Sequence, residues 1–375
     1  MPQRNLVFGL VLIFFVFGIT EGLLRLQQTL GPAYDLEFLN FAQDNFLSET
    51  LNHNPTANLG YNKDGIQAFR NVTAPPGAFK ILFLGDSFMQ GDPPEDTLPE
   101  FVRAEFLKAG LNENAFTLWN AGCSSYAPSI YAVQARQLIP KYQPDFVVVA
   151  IDESDLVDDY AIYGHLIERD AGGKIAAVRG SPPVRTKMAG YAAIRRQPLY
   201  LIRLFSMWYH KVRLYFVFKA YNQRYKSKYM QVPLAETSRR FSFNLAPGFD
   251  LAPDVESKYA GEAAFLKVSV AELAQTLSSL MGGPEKVLFL YHPHVYQLTP
   301  DPRGHVWRRW VPDILTAVNR QSGIAFYDVS EDLKKAFGNR PELSYHDEDM
   351  HFNRQGMENY GRLIAKKLLP KLKAP

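Results

Sequence analysis

An α/β chain with a parallel sheet wound on both faces is the fold this sequence predicts, and three observations predict it. Short apolar runs alternate with amphipathic stretches over most of the 375 residues. The runs are continuously apolar, as in strands covered on both faces. Several of them break off abruptly into small or polar residues, as happens where loops leave the carboxyl edge of such a sheet, the edge at which these folds bind ligands.

Five runs read as strands: Ile81–Leu84, Phe116–Trp119, Phe146–Ile151, Val287–Tyr291 and Ile324–Asp328. Helical spacing fills the intervals near Leu98–Ala109, Ser129–Ile139, Gly261–Leu280 and Trp307–Gln321, and again from Gln355 to Leu372. Strands alternating with helices make βαβ units and a doubly wound sheet. The alternation fails once, between residues 172 and 254, where "YLIRLFSMWYHKVRLYFVFKAYNQRYKSKYM" is aromatic and basic together. That stretch predicts an inserted helical cap. Either it is an amphipathic hairpin with a wet basic face, or its cations meet anionic lipid heads or an acidic glycan. The resulting organisation is 1–25 (signal-anchor or transmembrane segment), 26–78 (turn-rich lead-in), 79–171 (core, first part), 172–254 (cap) and 255–375 (core, second part).

A hydrophobic fraction of 47% and a charged fraction of 21% describe a globular protein. The formal charge of +3 is too small to indicate nucleic acid as a partner. Charge is unevenly spread: 13 Lys or Arg and one acid, Glu236, lie between Arg185 and Arg240, whereas Asp152–Asp159 holds five acids and no base. The single cysteine, Cys123, excludes an intrachain disulfide and a cysteine-based metal site. Uncharged residues run from Asn5 to Thr20 behind Arg4. Extended into Leu23 and Leu24, they approach the roughly 20 residues that a spanning helix needs. The expectation is an uncleaved anchor with Arg4 on the cytoplasmic side and the bulk of the chain in the periplasm. The alternative is secretion after signal cleavage, for which Val16-Phe17-Gly18 is a poor site.

The first strand ends in "GDSFMQG", which puts Ser87 at the sheet rim. Gly, Asp and Ser are ordinary turn residues, so the serine needs partners before it means anything. A nucleophilic serine requires a base, a group that orients the base, and donors for the developing oxyanion. "DEDMHFNRQG" supplies Asp349 two residues before His351, directly before an amphipathic helix. Helix entry explains Asn353 and the acids but gives His351 no role. The second strand end, "NAGCSSY", offers the Gly122 N–H; a glycine with positive φ would explain the residue equally well. His292 and His294 in "YHPHVY" are a poor metal signal without a third ligand, and read as lining the pocket or satisfying loop carbonyls.

In order, these stretches resemble the SGNH (GDSL-type) hydrolases in their bacterial, membrane-anchored form. "GDSFMQG" matches the first block, "NAGCSSYAPS" the second and "DMHFNRQG" the last, and the lead-in "LGYNKDGIQAF" is similar too. The resemblance covers about residues 58–160 and 285–370. It implies a three-layer α/β/α sandwich of flavodoxin-like type with a five-stranded parallel sheet. It implies Ser87 as nucleophile, His351 as base and Asp349 as its orienter. The oxyanion hole would be the N–H groups of Ser87 and Gly122, with the Ser154 hydroxyl as a further donor. The third block departs: "DESD" puts Ser154 where the family has an asparagine donor, beside two added carboxylates. The implied activity is a serine esterase acting on O-acyl groups of an envelope carbohydrate or lipid, with no cofactor and no metal. The alternatives are O-acyl transfer to a polysaccharide with the same triad, and a non-catalytic glycan-binding protein.

Overall fold

The computed structural model describes residues 2–30, 61–62, 64–67, 73–90, 94–124, 126–179, 185–186, 189–190, 193–194, 196–225, 259–298, 309–338, 340–346 and 351–373. The chain forms two compact units: Met1–Asn45 with Ser181–Arg224, and Phe46–Gly180 with Tyr225–Pro375.

The larger unit is a three-layer α/β/α sandwich. Its strands are β1 (Phe79–Leu84), β2 (Phe116–Asn120), β3 (Phe146–Ile151), β6 (Val287–Tyr291) and β7 (Ala325–Asp328). They form one sheet in the order β2-β1-β3-β6-β7, every neighbouring pair parallel. Strand alternation sends Leu82, Leu84, Val147, Val149, Val287 and Phe289 into one core. Ile81, Phe83, Val148, Ala150, Leu288 and Leu290 enter the other. Both faces are therefore apolar, which is why these strands read as unbroken hydrophobic runs.

Helices α3 (Pro128–Tyr142), α5 (Ala260–Met281) and α6 (Trp310–Ser322) cover the first face. Helices α2 (Leu98–Lys108) and α7 (Arg354–Lys373) cover the second. Local chemistry sets their ends. The Thr97 hydroxyl accepts the Glu100 N–H at the start of α2, and left-handed Gly282 and Gly323 close α5 and α6.

After β3, still within the larger unit, comes a hairpin the alternation does not predict. β4 (Ile167–Arg169) pairs antiparallel with β5 (Ile175–Val178). Asp170 Oδ1 accepts the N–H groups of Gly172 and Lys174 to hold the turn. The stretch expected to begin a helical cap at residue 172 thus opens as strand, because "IAAV" follows a turn rich in aspartate and glycine. Residues 226–254 of that stretch, and most of the lead-in, lie outside the described residues.

The smaller unit contains α1 (Pro2–Leu30) and α4 (Tyr200–Tyr225). Within α1, Val7–Leu26 is 20 residues long with a mean hydropathy of 2.4, and its side chains are almost all exposed. That length matches a bilayer's hydrocarbon thickness of about 30 Å. Glu21, near the carboxyl end of this run, accepts the Tyr200 and Leu201 N–H groups at 3.1 and 2.9 Å. It also pairs with Arg25, whose guanidinium reaches the Pro198 carbonyl.

Candidate active site

Parallel strands deliver their carboxyl ends to one edge, and five loops meet there. After β1 the Asp86 carboxylate accepts the Phe88 N–H at 2.9 Å, and the Asp86 carbonyl accepts the N–H groups of Met89 and Gln90. This tight turn presents Ser87, half-buried, above a floor of Phe88 and Met89. Two glycines let Met89 fit. A Cβ on Gly85 would lie 2.5 Å from Met89 Cγ, and one on Gly122 would lie 2.2 Å from Met89 Cβ. Gly122 is not among the residues with positive φ, so close approach, and not a left-handed backbone, is what requires it.

His351 comes from the loop before α7. Asn353 clamps that loop: its N–H goes to the Ser344 carbonyl at 2.9 Å, and its side-chain amide donates to the Leu343 and Tyr345 carbonyls. Its Oδ1 accepts the Gly356 N–H, capping α7. So held, His351 Nε2 lies 2.6 Å from Ser87 Oγ, with the Phe88 ring packed against the imidazole at a centroid distance of 4.8 Å. With Nε2 unprotonated, the hydroxyl donates to it, which is the geometry of a general base and its nucleophile. Asn353→Ala removes a cap and two donors to carbonyls. It is expected to cost about 1–2 kcal/mol in urea unfolding and to lower turnover by loosening His351. Asp349, the expected orienter, lies outside the described residues.

The expected oxyanion donors differ in their availability. Among the described residues the Ser87 N–H has no hydrogen-bond partner. The Gly122 N–H donates to Asn120 Oδ1 at 3.0 Å. The Ser154 hydroxyl donates to Asp152 Oδ1 at 2.7 Å, as does its N–H at 2.8 Å, so its one hydrogen is spent within its own loop.

The carboxylates added in the third block belong to a network legible only in part from sequence. Asp152 is fully buried, with Oδ2 2.6 Å from His294 Nε2 and Oδ1 also taking the Asp155 N–H at 3.2 Å. Burial pushes the Asp152 carboxyl up, but the facing His294 imidazole and the hydrogen bond from the Ser154 hydroxyl outweigh it and hold the group below the ordinary carboxylate range. Burial lowers His292 to about 3, leaving it neutral, with Nδ1 3.4 Å from the Tyr360 hydroxyl. Burial raises Glu153 to about 7, and the Tyr291 hydroxyl lies 3.1 Å from its Oε2. Asp86, Asp152 and His292 are the one group among the described residues whose ligand-type atoms, within 4.8 Å of one another, could hold a metal ion. Asp152, however, already takes four donors, whereas the buried His292 Nε2 has no hydrogen-bond partner among the described residues. The pairing of His294 with Asp152 was missed by the sequence reading. Its only signal is that Asp152 directly follows β3 and His294 lies three residues beyond the end of the adjacent β6.

Asp159, also buried, accepts the Ser129 N–H at 3.0 Å at the start of α3. Burial raises its pKa from 3.8 to about 6. The folded state then binds more protons than the unfolded state between those values, so this group's contribution to stability falls as pH rises from about 4 to about 6. Asp159→Asn keeps the acceptor and removes the titration. Its stability relative to wild type is expected to climb across that window by up to about 3 kcal/mol, read from urea unfolding at pH 4, 5, 6 and 7.

No family model and no curated protein matches the chain. Solved structures similar to it include a lipase/acylhydrolase from Enterococcus faecalis, at 12% identity over 79% of this chain and 98% of that one, with a TM-score of 0.41. An acetylxylan esterase from Geobacillus stearothermophilus is 11% identical over 81% and 98%, with a TM-score of 0.41. The esterase EstA from a Pseudoalteromonas species is 10% identical over 78% and 99%, with a TM-score of 0.37.

Proposed function

We propose that this chain is a serine esterase of the SGNH type that works through an acyl-enzyme. The observation that carries the reading is the 2.6 Å approach of His351 Nε2 to Ser87 Oγ at the carboxyl edge of the parallel sheet. His351 takes the Ser87 proton as Oγ attacks an ester carbonyl. The same imidazole, now protonated, gives that proton to the departing alkoxide, and an acyl-Ser87 ester remains. Water, deprotonated by His351, attacks the ester; the acid leaves and Ser87 regains its proton. The Ser87 N–H is the donor open to the oxyanion, and the Gly122 N–H joins it by exchanging Asn120 Oδ1 for the substrate oxygen. Asp349 orients His351. Ser154 acts as a loop brace, and Ser154→Ala is expected to change kcat less than about threefold, against the 10²–10³ typical of a lost oxyanion donor.

The substrate class we propose is an O-acyl group on an envelope carbohydrate or lipid, with α1 as an uncleaved anchor and the catalytic unit on the extracytoplasmic side. The anchor reading is supported by the exposed apolar run of Val7–Leu26 and by Arg4 before it. Pre-steady-state hydrolysis of p-nitrophenyl acetate tests the mechanism. A burst of nitrophenolate approaching one equivalent per chain is expected, whereas a correctly folded protein that releases none would contradict an acyl-enzyme.

A further inference from the structure

We infer that α4 lies in the headgroup region of an anionic lipid bilayer, at the boundary where α1 leaves it; the inference rests on α1 being a membrane anchor. Phe205, Trp208, Tyr209, Val212, Tyr215 and Phe216 are 53–73% exposed. Their spacing of i, i+3, i+4, i+7, i+10 and i+11 places them on one side of the helix. Met207, His210 and Tyr221 are buried on another side. The helix therefore has two apolar faces, and among the described residues only one of them is covered. Soluble surfaces seldom expose a continuous apolar stripe of this kind.

Two further observations say what covers it. The first is position. The Tyr200 and Leu201 N–H groups donate to Glu21, and Leu24 packs with Leu204 around Ile194 and Met207. Glu21 and Leu24 lie in the last turns of the apolar run Val7–Leu26. A helix that begins against those turns begins at the membrane surface if α1 spans. The second is charge. α4 carries Arg203, Lys211, Arg213, Lys219 and Arg224 and no acidic residue. Aromatic residues with Lys and Arg beside them are the composition of helices that lie in the interface, where rings reach the acyl boundary and cations meet phosphates. A soluble glycan would satisfy the cations but leave Phe205, Val212 and Phe216 in water.

The chain has four tryptophans, Trp119, Trp208, Trp307 and Trp310, and none lies in α1. Bromine atoms near the lipid headgroup therefore report on α4 and not on the anchor. The full chain is placed in phosphatidylcholine nanodiscs with 30% phosphatidylglycerol, and brominated phosphatidylcholine is exchanged for the unlabelled lipid. Quenching of wild-type emission is expected, with most of it lost in Trp208→Phe. The double variant Arg213→Glu/Lys219→Glu is expected to show at least twofold weaker quenching. Equal quenching of wild type and Trp208→Phe, in chains that stay with the nanodisc in 1 M salt, would overturn the placement of α4 while leaving the anchor intact. Trp208 emission shielded from aqueous iodide but untouched by bromolipid would overturn it in favour of a protein cover, either another segment or a second copy. Chains that leave the nanodisc in 1 M salt would overturn the anchor and the placement of α4 together.

Discussion

Ser87→Ala is expected to lower kcat for ester hydrolysis by about 10⁴–10⁶ without unfolding the protein, since removal of a member of a nucleophile–base unit typically forfeits most of the chemistry. The substitution removes one half-buried hydroxyl, whose hydrogen-bond partner among the described residues is His351. The turn that carries it is held by Asp86 and by backbone bonds of Met89 and Gln90, all of which remain. His351→Ala should fall in the same range, and the double variant should lose little more than either single one, because the two residues act as a unit. Steady-state rates on a short-chain ester decide the matter. A Ser87→Ala protein within tenfold of wild type would assign the chemistry to another residue.

Asp152→Ala carries the largest expected effect on stability, about 3–5 kcal/mol in urea unfolding, because it strips the acceptor from a buried imidazole and two backbone N–H groups at once. The His294 ring nitrogen would lose its acceptor in a site where the imidazole is almost wholly buried. The N–H groups of Ser154 and Asp155 would lose theirs as well. Asp152→Asn, which keeps an oxygen for those two N–H groups, should cost clearly less. A cost below about 1 kcal/mol for the alanine variant would mean that the network is not holding the third loop.

What could be read from sequence followed from how directly each feature depends on local chemistry. β1, β2, β3, β6 and β7 were legible because burial on both faces writes itself as an uninterrupted apolar run, as in "FVVVAI" at β3. Ser87 and His351 were legible because a polar residue at a strand end, or a histidine unexplained by helix entry, asks for a reason. The β4–β5 hairpin escaped notice because a strand of three or four residues carries almost no periodicity. The pairing of His294 with Asp152 escaped for another reason: 142 residues separate the two, and only the parallel register of β3 with β6 brings them together. The same register sets the surroundings of the third block's acids: Asp152 lies against His294, and burial pushes Glu153 up to about 7. Gly122 illustrates the limit of residue-type reasoning, since a glycine signals either a left-handed backbone or a close neighbour, and here the neighbour is Met89.

The central claim is that Ser87 is an activated nucleophile with His351 as its base. Intact-mass analysis of the full chain after treatment with a fluorophosphonate tests it most directly. One adduct per chain, mapped to Ser87, absent in Ser87→Ala and strongly slowed in His351→Ala, is the predicted result. A folded wild-type chain that remains unmodified, or an adduct that persists in Ser87→Ala, would contradict it.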